Sequence, residues 1–128
     1  MITLQEAFNK NWDWFIVQKK PKSLVSSRLA TCMYENTKGD RCGIGCFLPK
    51  DLLNQVTESG LYIDQLIEKN LYLARFLSQI PVSLLIELQH LHDCAIWKDE
   101  DPKIFYEFML NGLIRFAKQN HLTIPEVH

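Results

Sequence analysis

Apolar residues recur at helical spacing along most of the chain. Leu4, Phe8, Trp12 and Phe15 lie on one face of a first helix. Thr3 and Glu6 occupy the two positions of a capping box ahead of it, and Lys19-Lys20-Pro21 ends it after about Val17. Residues 22–30 have no period and read as a loop, with a short extended piece at Leu24-Val25. Pro49 suits the first position of a short helix running through Val56, and Ser59-Gly60 breaks the chain after it. Ile63, Leu66 and Ile67 mark another short helix up to Asn70, and Tyr72–Leu77 adds one further turn. Pro81 opens a central helix with Leu84, Leu88, Leu91, His92 and Ala95 on one face. Asp99-Glu100-Asp101-Pro102 closes that region and caps the last helix, whose apolar stripe is Phe105, Phe108, Met109, Gly112, Leu113 and Phe116. Asn120-His121 ends it, and Leu122 and Ile124 are expected to fold back onto the core.

The exception to helical spacing is Cys32–Pro49. It holds three of the four cysteines and three of the five glycines. Thr31–Tyr34 and Arg41–Gly45 flank a turn containing Asn36 and Lys38-Gly39, a hairpin pattern. A three-residue loop with Gly39 left-handed sets Glu35 opposite Arg41 and Tyr34 opposite Cys42. Alternation then places Cys32, Tyr34, Cys42 and Ile44 on an inward face, with Glu35 and Arg41 as an exposed pair. The expected fold is mainly α (α+β): one globular domain over residues 1–128, a compact set of helices with one small antiparallel β-hairpin near residues 31–45.

Composition supports a folded chain, since 47% of its 128 residues are apolar and 11% aromatic. A net charge of −1 argues against broad nucleic-acid binding, which needs a strongly basic face. Charge is uneven, however. Residues 1–50 carry eight Lys/Arg against four Asp/Glu, and residues 51–128 carry six against eleven. A positive patch near Lys19, Lys20, Lys22, Arg28 and Arg41 follows from this asymmetry. No apolar run approaches the ~20 residues that cross a bilayer, and no leader-like apolar segment follows Met1. The expectation is a cytoplasmic protein, without a membrane partner, whose cysteines stay reduced.

The order Cys32-Met33-Tyr34-Glu35, Gly39, Cys42-Gly43-Ile44-Gly45-Cys46-Phe47-Leu48-Pro49-Lys50-Asp51 and Leu88-Gln89-His90-Leu91-His92-Asp93 resembles a pattern in a family of small uncharacterised bacterial and phage proteins. That pattern is Cys-x-Tyr-Arg, a turn with Gly, Cys-Ala-Ile-Gly-x-Leu-Ile-Pro-Asp, then Leu-Gln-x-x-His-Asp. Glu35 stands where the family has Arg, and Lys50 separates Pro49 from Asp51. The resemblance implies no activity. It singles out Cys32, Tyr34, Cys42, Gly45, His92 and Asp93.

Three chemistries fit these residue types. In the first, the cysteines and His92 are core residues, with one ring nitrogen of His92 bonded to a hairpin carbonyl. In the second, Cys32, Cys42, Cys46 and His92 hold structural zinc, with His90 and Cys94 as further donors. Spacing argues against that, because His90 and His92 diverge by roughly 200° on a helix. Cys42 and Cys46 would also lie about 13 Å apart on an extended strand, although the intervening glycines allow the chain to curl. In the third, Cys32 or Cys42 is a nucleophile, His92 its base and Asp93 the orienting acid. Adjacent helical residues diverge by about 100°, which sets Asp93 badly for His92. The acidic run at 99–101 lacks calcium-loop spacing and reads as a capped solvent loop. Trp12, Trp14 and Trp97 exceed what the core needs, and Trp14 falls off the apolar face.

The sequence thus favours a small non-enzymatic binding or regulatory module that contacts a protein or small ligand and needs no cofactor. Tyr34, Arg41, Gln89 and Trp97 are its candidate contact residues. The alternatives are a small Cys/His hydrolase or transferase, or a structural zinc domain.

Overall fold

The first helix starts where its cap predicts. Thr3 Oγ1 accepts from the Glu6 amide at 3.1 Å, and the Glu6 carboxylate accepts from the Thr3 amide at 3.0 Å. In this computed structural model the described residues are 1–21, 34–35, 39–56, 61–95 and 101–125, without the side chains of 94 and 95. They form α1 (Leu4–Asn11), a π-helical turn (Trp12–Val17), a 3₁₀ turn (Gly45–Phe47), α2 (Lys50–Val56), α3 (Ile63–Lys69), α4 (Leu71–Phe76), α5 (Val82–Ala95) and α6 (Pro102–Gln119). The mainly α class is observed. Among the described residues no helix is long and apolar enough to cross a membrane.

Among the described residues the predicted hairpin is not observed. Its pairing there reduces to a single antiparallel bridge, Glu35 to Arg41, beside which the Cys42 amide donates to the Tyr34 carbonyl at 3.3 Å. Gly39 is left-handed between them, at φ 82°. Past Cys42 the chain curls instead of extending. Cys46 N–H donates to Cys42 O at 3.1 Å, and Phe47 and Leu48 N–H donate to Ile44 and Gly45 O. These local bonds satisfy amides that a second strand would have had to pair. Residues 31–33 and 36–38, the rest of the predicted hairpin, lie outside the described residues.

The first helix also departs from the predicted regular form. Its last part widens into π geometry, in which Gln18 N–H reaches back five residues to Asp13 O at 2.9 Å. The extra residue turns Trp12, Phe15 and Ile16 inward together. Lys19 then adopts a left-handed φ of 52°, and Lys20 N–H closes on Trp14 O at 3.1 Å. The end of α6 makes the ordinary version of this cap, with His121 at φ 55° and Leu122 N–H on Ala117 O at 2.9 Å.

Asn70 turns the corner between α3 and α4. It accepts from the Leu73 amide through Oδ1 at 3.0 Å, and its Nδ2 donates to Gln55 of α2 at 2.9 Å. Asp101 caps α6 through the Lys103 amide at 2.9 Å, with Pro102 as its first residue. The core runs between α1, α5 and α6. Phe8 stacks on Phe116 at 6.4 Å, and Phe15 meets Phe105 edge-on at 6.0 Å. Leu122 and Ile124 pack against it as predicted. The Gln5 side chain pins this tail by donating to Thr123 O at 2.8 Å and accepting from its amide at 2.9 Å.

Candidate functional site

Tyr34 and the turn from Arg41 to Leu48 lie against α1, α5 and the start of α3, and glycine lets them approach. A Cβ at Gly43 would collide with the Leu88 carbonyl of α5, and one at Gly45 would collide with the Tyr34 carbonyl. Two polar side chains then tie the turn down. Buried Asn11 donates from Nδ2 to Ala7 O at 3.0 Å, back along its own helix, and to Gly43 O at 2.9 Å. Tyr34 donates from its hydroxyl to Leu61 O at 2.7 Å and accepts from Gln89 Nε2 at 3.0 Å. Gln89 Oε1 in turn accepts from the Ile63 amide at 3.0 Å, which caps α3 from α5. Burial raises the Tyr34 hydroxyl above its ordinary range, so it stays protonated and able to donate.

Both cysteines of the turn are buried free thiols. Burial pushes the Cys42 thiol up to about 12, and burial raises Cys46 well above its ordinary value. Cys42 Sγ accepts from the Gly45 amide at 3.3 Å, and Cys46 Sγ donates to Gly43 O at 3.7 Å. Nucleophilic sulfur is the thiolate, and at Cys46 the thiolate-favouring charges of Arg41 and Lys10 are outweighed by burial. Among the described residues no three His, Cys, Asp or Glu side chains converge to hold a metal ion.

His92 is fully buried on α5, its ring 5.7 Å from Phe15 and 5.8 Å from Phe105. These ring contacts come from the π turn and α6 rather than from the hairpin region. Its Nδ1 lies 3.2 Å from Asp93 Oδ1, contrary to the expectation that adjacent helical positions keep the two apart. The short Asp93 carboxylate folds back along the helix to the nearer ring nitrogen. Because a carboxylate only accepts, Nδ1 is the donor of this contact. The pair resembles the orienting half of a general base, yet the imidazole is sealed in by aromatic rings.

The Glu35–Arg41 pair is less exposed than predicted and is not isolated. Glu35 accepts from Lys50 Nζ at 2.6 Å and Arg41 Nε at 3.0 Å. Lys50, with Arg41 beside it, holds the carboxyl below its usual range. Arg41 also lies over Trp14, with Cζ 5.4 Å from the ring centroid, and Lys20 Nζ approaches the same ring at 5.4 Å. Trp14 is therefore half-buried under cations rather than bare.

The structure thus brings Tyr34 together with Gln89, and Arg41 with Trp14. Cys32 and Trp97 lie outside the described residues, as does the side chain of Cys94. Sequence reasoning missed Asn11. Its signal was a lone amide on the apolar face of the first helix, one residue before Trp12. A shallow groove of about 420 Å³ runs between α2 and α4, lined by Pro49, Asp51, Leu52, Gln55, Tyr72 and Phe76. No family model, curated protein or solved structure matches the chain.

Proposed function

We infer that this chain is a small cytosolic binding or regulatory module without catalytic activity, acting through its surface on a protein or small ligand. The observation that carries the reading is the burial of Cys42, Cys46 and His92, at 2%, 7% and 0% exposure, with both thiols held protonated. Groups in that state stabilise a junction and are out of reach of a substrate. The polar atoms of Tyr34 and Gln89 bond to each other and to backbone, so they too serve the junction. The motif resemblance, which implies no activity, agrees with this reading.

A second reading rests on the His92–Asp93 hydrogen bond, which fits a Cys/His hydrolase or transferase with Asp93 orienting the base. Rapid mixing with p-nitrophenyl acetate separates the two. The module gives no acyl-enzyme burst above the solvent rate. A stoichiometric burst that Cys42→Ala or His92→Gln abolishes would overturn it.

A further inference from the structure

The cations of the first fifty residues are the part of the sequence that the junction around Cys42 does not absorb. The structure holds three of them on aromatic rings. Lys20 Nζ and Arg41 Cζ lie 5.4 Å from the Trp14 centroid, and Lys19 Nζ lies 5.4 Å from that of Tyr106 on α6. Lys20 and Arg41 are distant in sequence and meet on one ring, that of Trp14 in the π turn, beside the bridge at Arg41. The left-handed backbone at Lys19, φ 52°, sends adjacent cations to two different rings.

Among the described residues, carboxylates leave these charges largely uncompensated. Neither Lys19 nor Lys20 has a carboxylate within 4.0 Å among the described residues, and Arg41 gives Nε to Glu35. Its two terminal nitrogens have no carboxylate partner among the described residues, which leaves them for a second, forked contact. Cations held on rings lose less side-chain freedom when an anion arrives than free ones do.

We propose that the face made by Trp14, Lys19, Lys20, Arg41 and Tyr106 docks an acidic segment of a partner protein, whose carboxylates pair with the three cations. This rests on the binding-module reading and supplies its partner chemistry. A short acidic segment is favoured over nucleic acid by charge distribution. The patch is local, while residues 51–128 carry eleven acids against six bases and repel a polyanion running beyond it. A short peptide responds only to the field within about 10 Å at 0.1 M salt.

The test is fluorescence anisotropy of a dye-labelled Glu/Asp-rich peptide titrated with the full chain. Saturable binding that weakens as salt rises is expected. Lys20→Gln and Arg41→Gln should each weaken it roughly threefold to tenfold, while Lys69→Gln on α3 leaves it unchanged. Arg41→Gln also removes a Glu35 contact, so Lys20→Gln, checked for an unchanged melting temperature, is decisive. Absence of binding, or equal binding by Lys20→Gln, would overturn the docking face. Competition by inorganic phosphate or a single-stranded oligonucleotide as strong as by unlabelled peptide would overturn the acidic-segment assignment. None of these results touches the module reading, which stands or falls on the ester burst.

Discussion

Replacing Gly43 by alanine adds one methyl at the contact that seats the turn on α5. That methyl would lie inside contact distance of the Leu88 carbonyl oxygen, 3.1 Å from the carbonyl carbon and 3.4 Å from Asn11 Oδ1. Leu88 is fully buried in the middle of α5, so its carbonyl cannot withdraw without bending the helix. The turn must move instead, and the 2.9 Å bond from Asn11 Nδ2 to Gly43 O stretches with it. Overpacking of this kind costs about 1–3 kcal/mol. Losing that buried hydrogen bond costs about 1 kcal/mol more. A loss near 3 kcal/mol is expected, a large fraction of the roughly 5–15 kcal/mol that holds such a domain together. Urea unfolding followed by tryptophan emission measures it, as a lower midpoint at unchanged m. The bond to Asn11 adds a second check. Combining Gly43→Ala with Asn11→Ala should cost less than the sum of the single losses, by more than about 0.5 kcal/mol. A single-variant loss below about 0.5 kcal/mol, or strict additivity, would refute the seating of the turn.

Other perturbations separate neighbouring claims. Gly39→Ala meets no atom within 4 Å, so only its φ of 82° resists; a loss of about 1 kcal/mol in urea is expected, and less for Gly39→Asn. His92→Ala opens a cavity between Phe15 and Phe105 and should lower stability by about 2–4 kcal/mol. His90→Ala, which loses only an exposed stack on Tyr62, should stay under about 0.5 kcal/mol, and equal losses would show the α5 face misassigned. Glu35 has a folded-state pKa below its ordinary 4.5, through Lys50 first and then Arg41. Its contribution is therefore complete above 4.5 and disappears as pH falls through the folded-state value. Glu35→Gln should flatten that part of the acid limb in melting temperature, and an unchanged limb would discount the ion pairs.

Helix positions were legible because their signals are local. The Thr3–Glu6 box, Asp101-Pro102 and the apolar stripe of α6 each act within a few residues, and all three appear where the sequence places them. The bridge at Glu35–Arg41 and the inward Tyr34, Cys42 and Ile44 were legible for the same reason. The strand beyond Cys42 was not, because alternation cannot report that Gly43 and Gly45 have backbone pressed against them by Leu88 and Tyr34. Widening of the first helix was equally silent, since an apolar stripe ending in Phe15-Ile16-Val17 fits α and π geometry alike. At the site, sequence brought the right residue types together and left their state open. Only burial distinguishes a structural thiol from a reactive one. The His92–Asp93 contact depends on a carboxylate rotamer that spacing does not specify. Asn11 escaped notice because one amide on an apolar face says nothing of the carbonyl 32 residues away that it binds.

The central claim is that the Cys42–Cys46 turn is a sealed packing junction. Iodoacetamide labelling of the intact chain, with modified cysteines mapped by mass spectrometry, tests it most directly. Cys42 and Cys46 should react quickly in denaturant. In native buffer they should react only through unfolding, at least about a thousandfold more slowly for a domain of ordinary stability. Gly43→Ala should speed native labelling by the factor that its loss of stability dictates. Labelling of either thiol in native buffer at the denatured rate, unaffected by Gly43→Ala, would contradict the sealed junction and return Cys42 and His92 to consideration as reactive groups.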